Sequence, residues 1–142
     1  MDTKRLIIGT IVGGIVLHIV GYLIFDVAAA DFYAANEGPA SGAFRDVPMQ
    51  GSMFVANLAY AALITLGLLS RGTVPSIGAG ALIAAVIGLL VWLQADVFLY
   101  SYTTIRPLLI VIVDPLLEFV HAGVSGAIIS AVLARVPKSA MA

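Results

Sequence analysis

The chain has 142 residues, of which 61% are hydrophobic and 11% charged, with a net charge of -1 and a mean hydropathy of +1.09. A soluble domain of this size carries roughly 25% charged residues, so the material to coat a water-facing surface is missing. The slightly acidic balance excludes a nucleic-acid binder, which needs a basic face, and the absence of cysteine excludes disulfides, iron–sulfur clusters and thiolate chemistry.

Apolar runs divide the chain into spans over about residues 6–26, 49–69, 76–100 and 105–136, within a single domain, 1–142. Each reaches about 20 residues, enough for a hydrocarbon core about 30 Å thick. The sequence therefore predicts an all-α integral membrane protein, a four-helix transmembrane bundle. Span one follows Lys4-Arg5 and ends before Glu37-Gly38-Pro39, with helix continuing through Asp26–Ala35. Its apolar run is too long for a secretory signal and contains His18, so it reads as a retained span. Span two opens after Pro48, at a first-turn position. Span four contains Asp114-Pro115, where the missing backbone donor predicts a kinked helix or a new helix starting at Pro115. A kink is favoured, because Leu108–Val113 is too apolar for water.

Four spans put both termini and the 70–76 loop on one side, with Lys4, Arg5, Arg71, Arg135 and Lys138 against Arg45 and Arg106 on the other. The positive-inside rule then makes the N- and C-termini cytoplasmic and places Asp31, Glu37 and Asp46 in the outer loop.

At 1.5 Å per residue, His18, Asn57 and His121 fall at one depth, roughly 20 Å from the cytoplasmic charges. Asp26, Asp96 and Asp114 fall at a second level near the outer surface, with Glu118 between. Asp26 and Asp96 are expected at the interface, in contact with water. Asp114, Glu118, His121 and Ser125 lie within an arc of roughly 60°, a polar stripe that should face the bundle interior. Gln94 and Asp96 point to opposite sides of span three. Gly9-x3-Gly13, Gly80-x3-Ala84-x3-Gly88 and Ala122-x3-Gly126-x3-Ser130 provide small faces for close helix packing within the bundle. Tyr22, Trp92, Tyr100 and Tyr102 sit where interfacial anchors belong.

These seven residues (His18, Asn57, Glu118, His121, Asp96, Asp114 and Asp26) are the candidates for binding a ligand or a proton. Glu118-x-x-His121 has the spacing of carboxylate metal sites, and His18, Glu118 and His121 could hold one metal ion. His18 and His121 could alternatively ligate a haem. The plainer account is a structural network in which the polar groups pair across the bundle. No Walker motif, nucleophile elbow, HExxH or dinucleotide fingerprint occurs, so the chain does not read as a conventional enzyme.

Thr3-Lys4-Arg5 with Gly9, Gly13, Gly14 and Gly21, then Asp31-Phe32, and finally Val113-Asp114-Pro115 before a glycine-rich helix together resemble a group of small four-span bacterial integral membrane proteins with no assigned activity. The likeness extends over most of the chain and implies a four-helix membrane fold of bacterial origin, in the inner membrane. The leading expectation is a non-enzymatic accessory component of a membrane complex or oligomer, surrounded by lipid and other membrane subunits or copies of itself. The alternatives are a proton- or ion-coupled transporter of a small solute, and a haem- or metal-binding membrane protein.

Overall fold

The computed structural model describes residues 2–40, 42–43, 45 and 47–137. Asp46 and Lys138, which the charge distribution assigned to opposite sides, lie outside the described residues. Those described form α1 (Thr3–Gly21), a π-helical continuation (Tyr22–Ala28), α2 (Ala30–Ala35), α3 (Gln50–Leu69), α4 (Ile77–Tyr102) and α5 (Leu108–Leu133), with no strand among them. The four long helices, counting α1 with its continuation, are each long and apolar enough to cross a membrane. Isoleucines 7, 11, 15 and 19 expose 46–54% of their surface along one side of α1, a face that suits lipid and not water.

Local sequence sets the helix ends. Asp2 accepts from the Arg5 amide and Ser76 from the Ala79 amide, satisfying otherwise orphaned donors at the starts of α1 and α4. Met49 caps α3, which puts Pro48 one residue before the cap instead of in the first turn. Helix α5 begins after Pro107 and runs unbroken through Pro115, so the alternative of a new helix at Pro115 is excluded. Span one differs more. Its last turns widen into a π-helix, with the Ala29 amide reaching back to the Ile24 carbonyl, and helix resumes only at α2.

The closest pairings are α4 with α5 and α1 with α3, and α1 also packs on α5. Small residues make these approaches. Gly80 sits against Ser130 and the Gly126 carbonyl, Gly88 against Ala122, and Gly126 against Ala84, so the two small-residue ridges interlock. Gly9 and Gly13 meet Thr65 and Ala61 of α3. Arg5 donates from Nε (3.1 Å) and Nη2 (2.7 Å) to the Val136 carbonyl, which fastens both ends of the chain at one end of the bundle.

The two halves of the bundle consequently differ. At the terminal end, Ala61, Ile64, Ile129 and Leu133 are completely buried in an apolar core. At the α2 end, Tyr22, Phe25, Tyr60 and Trp92 are too bulky for such contact and line a cavity instead. Gly80→Leu should drive a side chain into Ser130 and lower stability by about 2 kcal/mol, the usual cost of overpacking. Gly78→Ala, where an added Cβ meets nothing within 4 Å, should leave the unfolding midpoint in detergent unchanged or slightly raised.

Candidate functional site

The cavity occupies about 800 Å³ between the π-helical segment, α3, α4 and α5. A helical stripe of α3, Gln50, Met53, Asn57 and Tyr60, forms one wall, and Trp92 of α4 closes the gap beside it. The Tyr60 and Trp92 rings lie 5.7 Å apart at 39°. Trp92 is half-buried beside the cavity, whereas Tyr22, Tyr100 and Tyr102 are 59%, 44% and 77% exposed.

The floor is the polar stripe of α5. Asp114, Glu118, His121 and Ser125 are all buried, with exposures of 3%, 1%, 5% and 0%, so the stripe faces inward as its periodicity predicts. Ser125 returns its hydroxyl to the His121 carbonyl at 2.9 Å. His121 Nε2 lies 2.9 Å from the Leu17 carbonyl of α1, and Nδ1 lies 3.0 and 3.1 Å from the two Glu118 oxygens. A carbonyl only accepts, so Nε2 must carry a hydrogen. The contact between Nδ1 and the carboxyl then needs one further proton, held on either partner. Imidazolium with carboxylate and imidazole with carboxylic acid are the two forms of a pair that shares one proton. The Tyr60 hydroxyl is shielded from solvent and faces the Glu118 carboxyl.

His18 and Asn57 form a second polar pair on the cavity wall, 3.2 Å apart, with Phe54 edge-on to the imidazole at 5.9 Å. The shared depth of His18, Asn57 and His121 is thus present, but His121 reaches α1 through the Leu17 backbone and not through His18. Among the described residues no three His, Asp or Glu side chains converge as a metal-ligand set, and His18, Glu118 and His121 do not form one. Axial ligation of a haem by His121 would require it to give up Leu17 or Glu118, because both ring nitrogens are engaged.

Above the floor lies an ionic cluster that the sequence only half disclosed. Arg106, in the loop before α5, donates to Asp114 and stands 3.4 Å from Asp96, while Tyr33 of α2 donates to the other Asp114 oxygen. Asp96 is only 4% exposed, not at the water interface as expected, because Arg106 gives it a counter-charge inside. Its neighbour Gln94 is exposed, on the opposite side of α4. Asp26 does not join the cluster; it is exposed and lines the cavity. Burial, followed by the hydrogen bond and the charge of Asp114, pushes the Tyr33 phenol well above its ordinary value, so it remains a donor. The charge distribution along the sequence presents Arg106 only as an orienting charge, and no pattern singles out Tyr33. The signal that could have found Arg106 was two buried-depth aspartates without a cation in any span.

No family model, curated protein or solved structure matches this chain. Its functional reading stands on the geometry. Arg106→Met would leave Asp96 and Asp114 as adjacent, uncompensated carboxylates and should cost about 3 kcal/mol. Adding Asp114→Asn should recover part of that loss in the same unfolding measurement, as expected when one charge of the unbalanced pair is removed.

Proposed function

We propose that this chain is a non-enzymatic integral membrane protein of the bacterial inner membrane, an accessory component whose interior polar site receives a small molecule from the outer side. One observation carries the reading. A cavity of about 800 Å³, within the range of ligand pockets, ends on a buried pair of ionisable side chains. The four apolar helices support membrane insertion. The excess of Lys and Arg at the end where Arg5 meets Val136 supports cytoplasmic termini, and hence a cavity opening outward. Residues 50–56 at the start of α3 are exposed on every side, which leaves a surface for a partner subunit or a second copy.

A second reading is favoured by the proton that Glu118 and His121 must share. A carboxyl–imidazole pair at the bottom of a water-accessible cavity is suited to proton-coupled movement of a solute. Below the pair the core is apolar, so such movement requires the helices to rearrange.

The native chain has no cysteine, so single-cysteine variants report accessibility without background. Met53→Cys should react with a membrane-impermeant thiol reagent added outside intact spheroplasts, whereas Ile129→Cys in the apolar core should not. Equal rates at both positions, or reaction of Met53→Cys only after lysis, would remove the outward-facing site. On the coupled reading, a solute gradient imposed on proteoliposomes drives proton movement that Glu118→Gln abolishes; undiminished proton movement in that variant excludes it.

A further inference from the structure

The charges and rings around the cavity specify what kind of molecule fits it. Among the described residues, the acidic side chains that line it are Asp26, Asp114 and Glu118, and the one permanent cation is Arg106. That guanidinium is already spent on Asp114 and Asp96, two carboxylates against one positive charge. An anionic ligand would therefore meet uncompensated negative charge at Asp26 and no free cation. Aromatic faces supply much of the remaining wall: Tyr22 and Phe25 on one side, Tyr60 and Trp92 on the other. Phe25 stands edge-on to His121 at 5.7 Å, which places a ring directly beside the proton-sharing pair. Aromatic walls with a carboxylate at the base are the chemistry that holds ammonium groups, by attraction to the ring quadrupoles and to a counter-ion.

Resting on the reading of this cavity as a ligand site, we propose that it binds an organic ammonium ion, with Glu118 as counter-ion, in exchange for the proton that Glu118 shares with His121. Charge balances in the exchange: one monovalent cation enters, one proton leaves to water through the cavity mouth at Asp26, and the net charge of the site is unchanged. The groups facing Glu118 agree with this. His121 on its own helix keeps the Leu17 carbonyl as a partner after the proton has gone, and Nδ1 becomes a neutral acceptor. Tyr60 on α3 faces Glu118 with a buried hydroxyl, a donor for the carboxylate oxygen that turns from His121. His18 on α1 lies across the cavity, tied to Asn57.

Trp92 is the chain's single tryptophan and stands in the cavity wall, so its emission reports occupancy directly. The purified protein in nanodiscs of phosphatidylglycerol, which has no amine, should be titrated with benzyltrimethylammonium, with its neutral carbon isostere and with benzenesulfonate. Saturable change with the ammonium alone, with release of about one proton per cation in weakly buffered solution, is the expected result. Glu118→Gln, which can still hydrogen-bond His121, should weaken binding at least tenfold and abolish the release. Asp26→Asn, at an exposed position where folding is not at stake, should weaken binding several-fold. Phosphatidylethanolamine added to the disc competes if the natural ammonium is a lipid headgroup and leaves the titration unchanged if it is a free solute. Binding of the sulfonate or the neutral isostere in preference, no binding of the ammonium, or ammonium binding that survives Glu118→Gln intact would overturn the cation assignment. The thiol-accessibility result at Met53 stands apart from these outcomes, and it alone decides whether the cavity is open from outside.

Discussion

Burying Asp114, Glu118 and His121 on one face of α5 is the constraint to which the rest of the bundle answers. An unpaired charge in an apolar interior costs several kcal/mol, so each of these groups needs a partner. Leu17 of α1 supplies a carbonyl for His121, Tyr33 of α2 a hydroxyl for Asp114, and the loop before α5 supplies Arg106. The contacts with Leu17 and Tyr33 reach segments distant in sequence, Arg106 comes from the loop directly before α5, and the Glu118–His121 pair and Ser125 stay within the helix. The polar stripe thus works as a set of fasteners that fix how α1, α2 and the 103–107 loop sit around α5.

The same constraint accounts for the irregular end of span one. The π-helical stretch Tyr22–Ala28 adds width to the helix where a cavity must be lined, and such stretches recur at functional sites. A regular α-helix would keep stacking residues at 100° intervals onto the tight seam that Gly9, Gly13 and Gly14 begin. Widening it lets Phe25 lean over His121 while the chain turns into α2 and delivers Tyr33 to Asp114. Close packing at one end and separation at the other are encoded by residue size: glycine and alanine below, tyrosine, phenylalanine and tryptophan above.

Much of this was legible in the sequence. Hydropathy alone located the four long helices to within a few residues, and the periodicity of Asp114, Glu118, His121 and Ser125 identified the inward face of α5. The small-residue ridges of α4 and α5 were visible as spacings, and they do meet one another. What could not be read was pairing between elements. The position of Asp96 depends on a loop arginine whose direction no periodicity describes, and the Trp92 ring meets Tyr60 of α3, a pairing that the pattern of α4 alone does not encode. The π-helix leaves no pattern in apolar sequence, since widening a turn changes hydrogen-bond register and not composition.

The position of the proton follows from the hydrogen bonds, not from burial alone. A buried glutamate beside a histidine is ordinarily ambiguous, because either ring nitrogen can serve as donor. Here the Leu17 carbonyl removes the ambiguity by claiming the Nε2 hydrogen, and the carboxyl is left facing the other nitrogen. Were that proton lost with nothing to replace it, two lone-pair-bearing groups 3.0 Å apart would oppose each other in a medium with little water to separate them. A replacement positive charge in the cavity relieves this repulsion, and the Tyr60 hydroxyl that faces Glu118 is placed to hold the carboxylate as it turns. Proton and cation are then alternative occupants of one electrostatic vacancy, and coupling between them needs no further device than the geometry of Leu17, His121 and Glu118.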